Sequence, residues 1–395
     1  MTQPPSRQKC NRDTGVPPVL AALQARIPRR SLLRLAAASP LLALVPSAGQ
    51  AFSATDDYLR ALAPREWSFP RDHGQHPGFK TEWWYFTGHL RTAAGRIFGY
   101  QLTFFRTALT PNPAPRPSPW AATDLFLAHA AISDVQAQSL LYAERLGRGR
   151  TGYAAASDST LDLQLKDWSI KPVPGNNWRL LAADRAKQFA LDLTLPFASR
   201  PPVLQGPGGL NPKGNATGQA SYYYSVTRLP TSGTLTLANT RHQVTGQSWM
   251  DHEFASNSLA ADQVGWDWLA LNLAAGEDVM LYRLRSNSNQ TDYLSGTLIS
   301  KDGQATYLTA GEIGFTPVGE WKSSSGTAYP AKWSVKVKGL AEMTIRPRMA
   351  DQELQTPEST DVTYYEGAVE AVGARGEAVG EGYLEMTGYA KPVTR

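Results

Sequence analysis

Cysteine is almost absent: Cys10 is the only one in 395 residues, and it lies in a basic leader. The remainder of the chain therefore has no disulfide, no thiolate nucleophile and no cysteine-ligated metal to work with. Long apolar runs are missing too. The leader's run from Leu35 to Val45 is interrupted by Ser39 and Pro40 and falls short of the ~20 residues that span a bilayer. Charge of one sign is scarce once its location is considered. The formal net charge is +5, but residues 1–51 hold seven basic residues against the single acid Asp13. Beyond them 32 basic residues face 33 acidic ones, which leaves no electrostatic footprint for nucleic acid. Also absent are a Gly-x-Ser-x-Gly elbow, a phosphate loop, a dinucleotide fingerprint and a His-Glu-x-x-His run, so any catalysis falls to carboxylates, histidine and tyrosine.

The leader reads as an address. Pro28-Arg29-Arg30-Ser31-Leu32-Leu33-Arg34, the apolar run and the small residues Ala48 to Ala51 look like a twin-arginine export signal over residues 1–51. The expected location is exported, periplasmic or secreted, with no transmembrane segment in the mature chain.

What the chain does have is a repeat written in aromatic residues. Glu82-Trp83-Trp84-Tyr85-Phe86 opens a strand to Leu90, turns through Ala93-Ala94-Gly95 and returns from Ile97 to Arg106. Gly265-Trp266-Asp267-Trp268-Leu269 likewise runs to Leu273, turns through Ala274-Ala275-Gly276 and returns from Val279 to Arg285. A second echo pairs Tyr223-Tyr224 and Gly246 to Asp251 with Tyr364-Tyr365 and Gly380 to Glu385. Period-two alternation, as in Leu161-Asp162-Leu163-Gln164-Leu165 and Trp333-Ser334-Val335-Lys336-Val337, marks antiparallel strands. The expectation is an all-β chain of two tandem antiparallel β-barrel domains. Its segments are a leading stretch 52–79, a first domain 80–254, a linker 255–264 and a second domain 265–391. Pro111 to Pro119 reads as a rigid surface connector, and Pro201 to Asn215 as a lid over a barrel mouth.

Alternation also sorts candidate site residues by face. Asp267 shares a face with Leu269, Leu271 and Leu273, where desolvation would raise its pKa toward that of a general acid. The bland alternative is an Asp hydrogen-bonded to backbone at the barrel rim, or paired with an arginine such as Arg283 or Arg285 on the next strand. Trp249, Asp251 and Glu253 face one way, and Met250, His252 and Phe254 the other. Glu82 goes with Trp84 and Phe86, while Trp83, Tyr85, Thr87 and His89 form the opposite face. Core packing explains most of those rings, and rings that line a cavity can also hold a long apolar ligand or stabilise a cation. His252 has no second histidine at ligand spacing, and His73 with His76 lie far upstream, so neither a metal nor a cofactor is expected.

His76-Pro77, Glu82 to Gly88, Trp249 to Phe254 and Gly265 to Trp268, with Tyr365-Glu366-Gly367 and Gly382 to Tyr389, resemble the AttH-like and carotenoid 1,2-hydratase family. The resemblance covers the chain beyond its leader and implies two lipocalin-like barrels. For the hydratases it implies addition of water across an isoprenoid double bond, through carboxyl protonation to a carbocation. Their closing strand carries Asp-His-Asn where this chain has Asp251-His252-Glu253, which counts against a carotenoid hydratase proper. The expected function is an exported protein acting on a hydrophobic, isoprenoid or lipid-like substrate by water addition or hydrolysis. Asp267, Asp251, His252 and Glu253 are the catalytic candidates; Glu82, Trp83, Trp84, Tyr85, Trp249, Trp266 and Trp268 would line the ligand site. The alternative is a hydrophobic-ligand carrier associated with an ABC-type transporter permease.

Overall fold

Every long element is a strand that an adjacent strand meets antiparallel. The computed structural model describes residues 58–393, except 112–117, 119–120, 150–151, 258, 261 and 288–291. The leader and most of the proline connector therefore lie outside the described residues. Among the described residues the helical pieces are 3-10 turns of three residues each, and no helix is long and apolar enough to cross a membrane.

The first repeat forms one sheet from Thr81 to Asn257, and the second another from Gln263 to Thr387. In each, the opening strand is clasped between its hairpin partner and the closing strand. Thr81–Arg91 lies between Ile97–Ala108 and Thr240–Asn257, and Gln263–Leu273 lies between Asp278–Ser286 and Ala378–Thr387. The first sheet curls until one end meets the other, a Cβ at Gly147 standing 2.6 Å from Leu165 Cδ1 and 3.5 Å from the Ala154 methyl. Arg145 on Ser139–Arg148 donates to Ala183 O at 2.9 Å and to Asp184 Oδ2 at 3.1 Å. A continuous interior core of Trp84, Phe86, Phe104, Trp168, Trp178 and Leu193 fills this barrel. The second barrel encloses Leu269, Leu271, Phe315, Trp333, Leu384 and Met386.

A third apolar cluster belongs to neither interior. Tyr85, Tyr223, Trp249, Trp268, Ala270, Tyr282 and Tyr383 come from both sheets and form the layer where the two barrels meet. Burial of such rings, worth about 1.5–3 kcal/mol each, holds the barrels together alongside polar bonds. His89 Nε2 sits 2.5 Å from Gly382 O, and Arg91 pairs with Glu381. Gly99 lies so close to Ala368 that a Cβ there would stand 2.6 Å from the alanine methyl.

The segment Pro201 to Asn215, expected to be a lid, is tied down as a strap. Val203–Leu204 and Leu210–Pro212 both pair with Ala220–Leu237, and Gly206 and Gly208 turn the chain at φ 102° and 58°, in the region glycine tolerates. Its end carries Lys213 into the layer between the barrels.

Candidate active site

Between the barrels lies a cavity of about 360 Å³. Trp83, Phe105, Leu259, Trp266, Trp268 and Leu284 give it apolar walls, and Asp251, Glu253, Glu366 and Glu385 project into it. Asp251, Glu253 and Glu366 are buried, and Glu385 is half-buried at the cavity wall. Each comes from a strand whose alternate residues point into a barrel core, so period two alone sends the acid outward to the shared layer.

Glu253 has a cation: Lys213 Nζ is 2.8 Å away and lies over the rings of Tyr223 and Tyr282. Glu82 and Arg106 also border the cavity and pair with each other at 3.0 Å. The other three acids have hydrogen-bond donors instead. Asp251 accepts from Ser225 Oγ at 2.5 Å, Trp249 Nε1 at 2.6 Å and Tyr223 Oη at 2.7 Å. Glu385 accepts from Trp266 Nε1 at 2.8 Å and Thr387 Oγ1 at 2.9 Å, both on Oε1. Glu366 accepts from Tyr85 Oη at 2.6 Å.

Burial without a countercharge pushes these groups up. Burial raises Asp251 to about 7, its three donors opposing the rise and the Glu253 charge adding to it. Burial likewise raises Glu385 to about 7, against its bonds from Thr387 and Trp266. Glu366 goes well above the usual carboxylate range, first through burial and then through the charge of Glu385. Glu366 and Glu385 stand directly opposite each other in register, where two like charges oppose joint ionisation. The pair retains a proton at pH values where an exposed glutamate has lost it.

The repeat gives this arrangement an internal symmetry. Asp251 faces Tyr85 in the first sheet as Glu385 faces Trp268 in the second. Each acid also has a neighbour on its other flank, Ser225 and Glu366 respectively. Each repeat thus contributes one carboxyl group, held by an indole N–H, to the same cavity.

The residues singled out from sequence divide among three places. Asp251, Glu253, Trp83, Tyr85, Trp266 and Trp268 line the cavity, and Trp249 lies behind it, bonded to Asp251. Asp267 does not join them. It enters the second barrel's interior, with Arg285 at 3.6 Å and Arg283 at 3.8 Å, the arginine pairing that the sequence left as its alternative. Burial raises it to about 6 against the pull of Arg285 and Arg283, but it lies on the opposite face of its strand from Trp266 and Trp268. The catalytic candidates Asp267, Asp251 and His252 therefore lie in three different places, the second barrel's interior, the cavity and the first barrel's interior.

His252 and Trp84 point into the first barrel, their rings stacked at 4.8 Å. The sequence offers His252 no histidine partner, but the fold brings His76 beside it. His76 Nδ1 and His252 Nε2 are each 2.8 Å from Glu82 Oε1. These three side chains are the group among the described residues with metal-ligand potential, their atoms within 4.8 Å of one another. Their outer nitrogens are already engaged, His76 Nε2 with Asp72 at 3.2 Å and His252 Nδ1 with Tyr224 Oη at 3.1 Å. The Arg106 guanidinium on Glu82 supplies the positive charge a metal would bring. Burial alone would raise Glu82, yet the bonds from His252 and His76 outweigh it and hold the carboxyl far below its ordinary range. Burial lowers His252 to about 4 against the pull of Glu82. This hub is a satisfied buried network that anchors the opening strand to the closing one.

Glu366, Glu385, Tyr223 and Lys213 were not among the sequence candidates. The signal for Glu385 was present in the second echo, which aligns it with Asp251.

Comparisons with known proteins agree with this architecture. A family model described as AttH-like matches residues 60–389. The crystal structure of an AttH from Nitrosomonas europaea is 34% identical with a TM-score of 0.74, covering 83% of this chain and 100% of its own. Kievitone hydratase from Nectria haematococca shares the fold at 15% identity and a TM-score of 0.61, covering 85% of this chain and 97% of its own. No curated protein matches the chain in sequence.

Proposed function

The chain belongs to the AttH-like family, and from that membership and the cavity between its barrels we propose an enzyme that adds water to a hydrophobic, alkene-bearing substrate of isoprenoid or lipid type. The observation that carries the proposal is the set of three carboxyl groups, the buried Asp251 and Glu366 and the half-buried Glu385, facing an apolar cavity without a cation of their own. The fold neighbour named a hydratase shares this reaction class by name.

In this reading the proton held by the Glu366–Glu385 pair passes to one alkene carbon, forming a C–H bond and leaving a cation at the other. The rings of Trp83, Trp266 and Trp268 and the newly formed carboxylate stabilise that cation. A water oxygen then bonds to it. Asp251, which titrates near 7 and is therefore ionised in a share of the molecules at neutral pH, takes the proton that the water releases. Solvent in the cavity returns that proton to the glutamate pair, so alkene and water become an alcohol with no net proton change. The residues invoked from sequence change roles accordingly: Asp251 is the base, Glu385 replaces Asp267 as the acid, and His252 is structural.

The test is incubation of a native membrane-lipid extract with the protein in heavy-oxygen water, read by mass spectrometry. A product one water heavier and carrying the label, formed by the parent and not by Glu385→Gln, is the expected result. Labelled fragments would indicate hydrolysis instead. Ligand that co-purifies without labelled product in either sample would make the protein a carrier, the reading in which it hands cargo to an ABC-type permease. Asp267→Asn, in the same assay, is expected to retain far more of the parent rate than Glu385→Gln does; a loss as large as that of Glu385→Gln would return the acid role to Asp267.

The export reading of residues 1–51 is part of the proposal, and cell fractionation with N-terminal sequencing tests it. Full-length protein retained in the cytoplasm would refute it.

A further inference from the structure

Beside the cavity runs a second, more open groove of about 640 Å³ with quite different walls. It lies against the outer face of the second barrel. Tyr293, Ser295 and Thr297 alternate onto that face from Tyr293–Ile299, and Tyr307 stands opposite Thr297 in register. Amides of Asn211, Gln219 and Gln263 close the other side. No lysine or arginine is among the described residues lining the groove. Its two acids are already engaged: Asp292 accepts from Arg283 at 2.6 Å, and Asp262 from Ser286 at 2.9 Å. Asn211 is 3% exposed and its Oδ1 lacks a hydrogen-bond partner.

The groove adjoins the cavity. Leu284 lines both. The strap runs between them, with Asn211, Pro212 and Gly214 on the groove side and Lys213 on the cavity side. Tyr282 Oη donates to Pro212 O at 2.5 Å and Gln263 Nε2 to Lys213 O at 2.9 Å, fixing the strap from either flank.

We infer that cavity and groove are two halves of one site for an amphiphile, with the hydrocarbon part in the cavity and an uncharged, hydroxyl-rich head such as a sugar in the groove. The chemistry of the groove sets this class. The groove's hydroxyls and the unpartnered Asn211 Oδ1 can bond sugar hydroxyls, whereas the Gln263 amide is already engaged with Ala260 N and Lys213 O. Tyr307 is 40% exposed, so its ring is available to lie against the C–H face of a sugar. The lack of a free cation disfavours phosphate, sulfate or carboxylate heads. The inference rests on the cavity being a hydrocarbon site, as proposed above, and adds what the substrate carries at its other end.

Calorimetric titration with decyl maltoside, decanol and decyl sulfate, all below their micelle concentrations, tests it on the full chain and on Tyr307→Ala. The maltoside is expected to bind about tenfold more tightly than decanol, or 1.4 kcal/mol, and the sulfate no better than decanol. Tyr307→Ala should remove most of the maltoside's advantage and leave decanol unchanged. Equal binding of maltoside and decanol, preference for the sulfate, or an unaltered advantage in Tyr307→Ala would overturn the bipartite site while leaving the cavity reading intact. Failure of all three decyl compounds to bind would overturn both.

Discussion

Arg106→Met is expected to lower the unfolding free energy by about 3–5 kcal/mol at pH 7, the cost of leaving a buried charge without its partner. Arg106 is fully buried, and its guanidinium satisfies four acceptors at once. Nε donates to Glu82 Oε2 at 3.0 Å, Nη1 to Asp124 Oδ1 at 2.8 Å, and Nη2 to the carbonyls of His76 and Phe79, each at 2.9 Å. Methionine fills part of the space but donates to none of them. Glu82, fully buried, would keep only its bonds from the histidines and the His76 backbone. Arg106→Lys should recover part of the loss, because one ammonium does not reproduce the planar fork. Equilibrium denaturation checks this; a loss below about 1 kcal/mol would mean that the network is ornamental. Glu82→Gln combined with Arg106→Met should be less damaging than Arg106→Met alone, since the orphaned charge is then gone.

Glu385→Gln is expected to reduce turnover by about 10²–10⁴-fold, the span typical of a lost general acid, while stabilising the fold at neutral pH. The two effects have one cause. The folded carboxyl titrates near 7 against an ordinary 4.5, so between these values the folded state keeps a proton that the unfolded chain releases. Stability from this group is present below pH 4.5 and declines as pH rises to about 7. Glutamine removes that decline. The variant's gain over the parent should therefore be near zero at pH 4, grow through that window and level off above it. Its ceiling is about 3 kcal/mol. The comparison must be between variant and parent, because the parent's own curve mixes opposite contributions. Burial lowers His129 and His252 to about 4, and such histidines lose stability as pH falls through the range where the acids gain it. Thermal melts of both proteins from pH 4 to 8 check the prediction. A gain that is constant across that range would show that Glu385 is ionised like a surface glutamate.

Alternation made the faces legible and left the compartments hidden. Trp249-Asp251-Glu253 and Met250-His252-Phe254 do part to opposite sides, as do Trp83 with Tyr85 and Glu82 with Trp84. Period two fixes which residues travel together, but not whether their face looks into its own barrel or toward the other one. The leucine face of Asp267 is a barrel interior, so the isolated acid found there meets arginines of the next strand. The tryptophan face of the same strand borders the cavity, and the acid it meets, Glu385, comes from the closing strand at the far end of the chain. The echo between the Asp251 and Glu385 strands contained that correspondence. Turning it into a shared site required knowing that both closing strands send a face to the cavity between the barrels. The His76–Glu82–His252 hub was hidden for a similar reason: His76 reaches its partner through a turn whose path no local pattern specifies. Lys213 was equally silent, a lysine in a glycine-rich stretch whose role follows only from the strap's pairing with Ala220–Leu237.

A protonated carboxyl group that persists in the cavity near neutral pH is the source of the transferred proton, and infrared spectroscopy detects it directly without a substrate. A carboxylic-acid C=O band should remain at pH 6, weaken as the pH is raised through about 7, where Asp251 and Glu385 titrate, keep a component from Glu366 above that, and lose intensity in Glu385→Gln and Glu366→Gln but not in a variant of an exposed acid such as Glu377. A spectrum with no protonated carboxyl band above pH 5, or a band untouched by both glutamate substitutions, would contradict the proposed acid and with it the assignment of the cavity as a site of proton transfer.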